Sequence, residues 1–204
     1  MNKQIEADTT TPQTAPHLSD IQTIRERARQ HISAGAVTPS YDANREIVLK
    51  LLNEALATEL VCVLRYRRHY YMADGVLAEA VKKEFLEHSR EEQDHADLIA
   101  ERIIQLGGEP NFDPTGLASR SHAEYKAGVT LEDMIVEDLV AERVAIESYR
   151  EMVEYIGRHD SSTRRMLEKI LGVEEQHAEE MASCLKGVHA LSRAPGFAAK
   201  PAAG

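Results

Sequence analysis

Apolar residues recur three and four positions apart along four long stretches of this chain, and they almost never alternate. Val48, Leu52, Leu56, Val63, Tyr66 and Tyr70 predict a helix over about 43–73, stopped by Asp74 and Gly75. Val81, Phe85, Ile99 and Ile103 predict a second from near Val76 to Leu106, closed by Gly107, Gly108 and Pro110. Thr130, with Asp133 three residues on, opens a third that carries Leu131, Ile135, Ile146, Tyr149 and Val153 and ends near Gly157. A turn near Asp160 leads into the fourth, with Met166, Ile170 and Met181, ending at Gly187. Ile21, Ile24, Ala28 and Ile32 predict a short helix over about 18–33, ended by Gly35 and Pro39. The links between the long helices are short, long and short, the long one at 108–129 having room for one short helix. Short links make antiparallel neighbours, and a long one lets the third helix restart at the far end. The expected fold is all-α, a four-helix bundle with one long crossover. Its parts are an N-terminal extension with a short helix (1–42, polar and unstructured over the first sixteen residues), the bundle (43–187) and a flexible basic C-terminal tail (188–204).

Composition narrows the function classes. Aromatic residues are 5%, Trp is absent, and there are only 11 Gly and 7 Pro, too few turn and strand formers for an all-β domain of this length. At 43% hydrophobic residues the chain can bury a core. No apolar run is long enough for a membrane span, and the polar start carries no apolar signal region. Cys62 and Cys184 make no disulfide framework, so the expected compartment is the reducing cytoplasm. Of the net charge of −10, residues 185–204 contribute +3 and residues 1–40 nothing, leaving −13 on the body between. That body repels nucleic acid and attracts cations.

Ionisable residues interrupt all four apolar stripes. Glu59 breaks the first, Glu92 and His95 the second, Glu142 the third, Glu174 and His177 the fourth. Glu59 lies 15 residues before the Asp74 turn and Glu92 lies 18 after it; Glu142 lies 18 before Asp160 and Glu174 lies 14 after it. At about 1.5 Å per residue, these depths agree to roughly one turn. One Glu from each of two helices and Glu-x-x-His from each of the other two would hold two metal ions, with two carboxylates shared between them. Unpartnered, four buried carboxylates would each cost several kcal/mol, whereas two divalent ions cancel their charge. Oxygen and imidazole donors with open positions suit iron or manganese better than structural zinc. His88 and Asp138, one turn before Glu92 and Glu142, are read as hydrogen-bond partners of the ligands. Tyr66 is read as packing and Cys62 as an inert buried thiol. His17, His31, His69, His122, His159 and His189 are read as surface or loop residues, and Glu91, rotated about 100° from Glu92, as uninvolved.

The segments NEALATELVCVLRY, EFLEHSREEQDHAD, EDLVAER and LGVEEQHAEE, which carry these six residues, resemble the bacterioferritin-type members of the ferritin-like superfamily over about residues 45–187. The resemblance implies a hollow homo-oligomeric cage that oxidises iron(II) with dioxygen or hydrogen peroxide at an intrasubunit di-iron centre, then stores the ferric product. Glu59, Glu92, His95, Glu142, Glu174 and His177 would be both metal ligands and catalytic residues for two iron ions per subunit, with manganese or zinc as substitutes. Gln93 stands where haem-binding members have Met, so no haem is expected. The N-terminal extension and the C-terminal stretch 187–204, whose two prolines argue against a fifth helix, look more like the twelve-subunit Dps-like cages; a 12-mer is favoured over a 24-mer. Two alternatives remain: a di-iron or di-manganese peroxidase that stores no iron, and a Dps-like DNA-protection particle binding DNA through the basic tail, which is the less favoured role for that tail.

Overall fold

A computed structural model describes residues 18–192. Among them the chain is entirely helical: α1 Ile21–Ala28, a 3-10 turn Ile32–Ala34, α2 Arg45–Met72, α3 Ala78–Gln105, α4 Leu117–Arg120, α5 Leu131–Ile156 and α6 Ser161–Ser192. The four long helices start within about two residues of the positions their patterns predict. α5 begins with the expected capping box, in which Asp133 N–H donates to Thr130 Oγ1 and Thr130 N–H donates to Asp133 Oδ2. The short helix inside the crossover is α4.

Two boundaries differ from the sequence reading. α1 is half the expected length and buries none of its residues, so Ile21, Ile24 and the following Ile32 lie exposed. α6 continues through Gly187 to Ser192, because Val188 beyond the glycine is buried in the core beside Leu185 and holds the extra turn in place. The basic tail therefore starts as helix; its remainder, 193–204, lies outside the described residues, as does the polar segment 1–17.

α2 packs along α3 and α5 along α6, with α2 facing α5 and α3 facing α6 across the bundle. The apolar core is in two parts. One holds Leu52, Leu56, Ile99, Ile103, Tyr149, Ile156, Leu167 and Ile170. The other holds Tyr66, Val81, Phe85, Ile135, Met181 and Val188. On every helix the interrupting Glu lies between a residue of the first part and a residue of the second.

A buried ion network fastens the crossover. Arg65 Nε donates to Asp138 Oδ1 at 2.7 Å, and both side chains are fully buried. His69 Nδ1 meets Asp138 Oδ2 at 2.8 Å, and its Nε2 donates to the Ala127 carbonyl at 2.9 Å. Arg65 Nη1 reaches the Glu124 carbonyl at 3.2 Å, and Arg68 reaches that of Ala127. Gly128, at φ +62°, lets the loop turn against the first residues of α5, where a Cβ would lie 2.8 Å from Met134 Cγ. His69 is thus no surface residue, and Asp138 serves this network rather than a metal ligand. The reading failed because the buried face of α2 runs through Cys62, Arg65 and His69, whereas Val63 and Tyr70 are only half-buried.

Removing the acid from this network should be expensive. Asp138→Ala leaves the Arg65 guanidinium buried without its anion, and we expect a loss of about 3–5 kcal/mol in urea denaturation. A loss below about 1 kcal/mol would mean that Arg65 finds another partner or water.

Candidate metal centre

The interruptions meet in one layer between the two halves of the core. Glu59, Glu92, His95, Glu142, Glu174 and His177 are each between 0% and 6% exposed. Their donor atoms form two overlapping sets. Glu59, Glu92, His95 and Glu174 bring one ligand atom each to within 4.8 Å of one another, and so do Glu92, Glu142, Glu174 and His177. Glu92 and Glu174 belong to both sets; the other four residues belong to one set each.

The donors face each other without bonding. His95 Nδ1 lies 2.9 Å from Glu174 Oε1, 3.4 Å from Glu59 Oε2 and 3.5 Å from Glu92 Oε2. His177 Nδ1 lies 3.5 Å from Glu92 Oε1 and 3.9 Å from Glu142 Oε2. None of these approaches is aligned as a hydrogen bond. Among the described residues, nine buried side-chain nitrogen or oxygen atoms lack a hydrogen-bond partner, and seven of them are on these six residues. Lone pairs aimed at common points fit a pair of cations, so the donor set suits the metal that the resemblance implies.

Electrostatics agrees with the geometry. Burial, then the Glu92 charge, pushes Glu59 up to about 8 and Glu142 up to about 7. The same two causes raise Glu174 well above the ordinary value. For Glu92 burial acts upward too, but His177 and His95 beside it outweigh burial and hold the carboxyl low. Burial would lower both imidazoles, yet the carboxylates Glu174, Glu59 and Glu92 raise His95, and Glu92 and Glu142 bring His177 to about 9. Without a cation the layer keeps its charge down by holding protons.

Outer groups set the donors' orientation. The buried Tyr149 on α5 donates to Glu59 Oε1 on α2, and the buried Tyr66 on α2 donates to Glu142 Oε1 on α5. Tyr66 is therefore more than packing. Glu91 Oε2 lies 2.7 Å from His177 Nε2, so the residue expected to be uninvolved orients an imidazole whose Nδ1 faces the layer. His88 touches none of the six by hydrogen bond. Its Nδ1 is 3.2 Å from the Tyr66 hydroxyl, its Nε2 is 2.8 Å from Glu180 Oε2, and its ring stacks on that of His177 at 3.9 Å. Burial, then His177, holds its pKa below the ordinary value. Cys62 is buried as expected, and burial raises its thiol pKa well above the usual range. His31, His122 and His159 are exposed as expected.

Spacing carried a trace of the missed tyrosines, since each lies seven residues after the Glu of its own helix. Glu91 left none, because its partner is 86 residues away on α6.

Comparison with known proteins places the chain. A bacterioferritin of Mycobacterium leprae is 31% identical over 137 residues, covering 65% of this chain and 79% of its own length. A solved dodecameric thioferritin, the bacterioferritin-related protein of Bacteroides fragilis, superposes with a TM-score of 0.70 at 28% identity, over 73% of this chain and 90% of that one. Dps from Thermosynechococcus elongatus shares the fold, with a TM-score of 0.66 at 22% identity over 76% of this chain and 96% of its own. No helix among the described residues is long and apolar enough to cross a membrane. The ferritin-like domain model matches residues 49–189, and the chain belongs to that family.

Proposed function

We propose that this chain oxidises iron(II) in the layer between the two core halves and that copies of it assemble into a hollow cage, twelve-membered like its thioferritin relative, in which ferric iron is stored. The observation that carries the reading is the pair of four-donor sets sharing Glu92 and Glu174. Iron(II) is the substrate. Glu59 and His95 would hold one ion, Glu142 and His177 the other, and Glu92 and Glu174 would lie between them. Two bound ions can deliver two electrons to dioxygen or peroxide. The chain's part is to fix the donors and keep the layer dry. Tyr66 and Tyr149 each hold one oxygen of a carboxylate, leaving the other free for an ion, and Glu91 fixes which nitrogen of His177 faces inward.

Loading should be linked to stability and to pH. Glu59 and Glu142 titrate at about 8 and about 7, above their ordinary 4.5. The stability that their protons bring is complete below 4.5 and is lost as pH climbs through 7 and 8. His177, raised to about 9, has the same sign. Glu92, held low, has the opposite sign but titrates far below this window. The metal-free chain should therefore melt lower at pH ~8.5 than at pH ~6. Metal takes the protons' place, so the loaded chain should melt higher at both and lose less between them. Differential scanning calorimetry with and without a chelator measures this. Four equal melting temperatures would sink the buried-charge reading.

Kinetics separates a centre from a general attraction for cations. Glu92→Gln, Glu91→Gln and the distant, exposed Glu101→Gln each remove one negative charge from α3. We expect Glu92→Gln to slow stopped-flow oxidation of iron(II) on the order of tenfold or more, and Glu91→Gln by roughly 10–100-fold through His177. Glu101→Gln should react as the wild type does. Small, equal effects from all three would remove the assignment.

A further inference from the structure

Outside the six-residue layer, two apolar surfaces of this chain lie uncovered, and each complements the other. The first is α1. It buries none of its residues, and what holds it is local: the Asp20 carboxylate accepts from the N–H groups of Gln22 and Thr23, each at 2.9 Å. A helix this short is marginal in water unless an apolar face is covered. Ile21, Ile24 and Ala28 make such a face at i, i+3 and i+7, with Leu18 just ahead of it. Leu18, Ile21 and Ile24 are 90%, 61% and 49% exposed. At roughly 100° per residue, Arg25 and Arg29 border the face on one side and Arg27 on the other, while Glu26, the one acid of the helix, lies opposite it.

The second surface is a groove between α2 and α5. Ile47 and Leu51 of α2 and Met152 and Tyr155 of α5 line a hollow of about 420 Å³, in which Ile47 is 38% and Tyr155 50% exposed. Along α5 it runs on past Ser148 and Glu151 into a second hollow beside Val140 and Val144. Val140 and Tyr155 are about 22 Å apart along their helix, and α1 is about 12 Å long. Two acids, Glu147 and Glu151, line this surface, and its one arginine, Arg143, lies toward the Val140 end. A helix sits in a groove by anchors at i, i+3 and i+7, and here a stripe with basic borders meets a groove with acids along it.

The chain holds its own α1 away from its own groove. Between α1 and α2, Val37, Tyr41 and Ala43 are packed on the first part of the core. Tyr41 Oη donates to Asp160 Oδ2 at 3.0 Å, and Arg102 Nη2 holds both oxygens of that carboxylate at 2.9 and 3.0 Å. The connection is thus fastened where α3 ends and α6 begins, and the α2/α5 groove lies on the opposite side of the bundle. From there α1 projects with its stripe in solvent.

We propose that α1 of one copy docks in the α2/α5 groove of a second copy of this chain, with Ile21, Ile24 and Ala28 against the apolar walls and the flanking arginines toward Glu147 and Glu151. Exchange of an identical element between copies needs no further partner. The contact does not depend on the metal centre. The test is cross-linking of the full-length protein with a short bismaleimide, read on a denaturing gel with the linked peptides mapped. The wild type, with Cys62 buried and Cys184 half-buried, sets the background. Ile24→Cys/Tyr155→Cys should give covalent dimers and higher multiples linked from α1 to α5. Adding Ile21→Glu, a change on a helix that buries nothing, should slow that linking on the order of tenfold by removing one apolar anchor. Glu26→Cys/Tyr155→Cys, with its cysteine on the far side of α1, should link far more slowly than the Ile24 pair. A link within one chain would place α1 in its own groove and overturn the proposal. So would equal linking by the Ile24 and Glu26 pairs, or no product above the wild-type background, and each of these results would leave the proposed iron oxidation untouched.

Discussion

Four carboxylates in one buried layer are the constraint on which this bundle turns. A carboxylate taken out of water costs several kcal/mol unless it is paired, and here all four come from separate helices into the same layer. The protein divides its core around them, with one apolar cluster on each side. Within the layer, His95 and His177 offset part of the charge, and protons held on Glu59, Glu142 and Glu174 offset more. Neither gives every donor atom a partner, and the atoms left over point at one another. The bundle is thus assembled around a charge that its own side chains do not fully neutralise, which suits the layer to cations.

The layer has an approximate two-fold pattern that explains how so many donors converge. α2 and α5 each carry a Glu with a Tyr seven residues later, and each Tyr donates to the Glu of the other helix. α3 and α6 each carry Glu-x-x-His, with the two side chains leaning to the same face. A seven-residue step is close to two helical turns, so each phenol lies on its own helix's inward face and reaches across to the opposite carboxylate. The α2/α5 pair therefore locks Glu59 and Glu142 in place, while the α3/α6 pair supplies the two carboxylates common to both donor sets. The locked pair is sealed on its side. The shared pair lies on the side of α3 and α6, where the partly exposed Glu84, Glu91 and Glu180 are all acidic.

Much of this was legible in the chain. Helix number, the capping box at Thr130, the long crossover and all six converging residues follow from period and depth, because each is a property of one helix at a time. What stayed hidden depends on pairs far apart in sequence. Arg65 and His69 look like surface residues until Asp138, 73 and 69 positions away, is placed against them. Glu91 looks idle until α6 brings His177 to it. The register of α2 was misjudged for a related reason: its inward face takes Arg65 and His69 in place of Val63 and Tyr70, since a buried charge network can outrank an apolar side chain when its partners are complete.

The same network shows why the crossover matters to the site. α5 has to enter the bundle with Glu142 at the depth of Glu59, and a loop of some twenty residues would leave that depth loosely set. Arg65 and His69, projecting from α2 just beyond Glu59, hold both ends of the relationship: the backbone of 124–127 before α5, and Asp138 one turn before Glu142. The fastening thus spans the two helices whose tyrosines and carboxylates interlock. Burying a guanidinium and an imidazole is a poor way to gain stability, since apolar residues of equal volume would do as well or better. It is a good way to fix the axial position of one helix against another, because a slip by one residue would strand a charge. The depth of the six-residue layer is therefore set by electrostatics outside the layer as well as inside it.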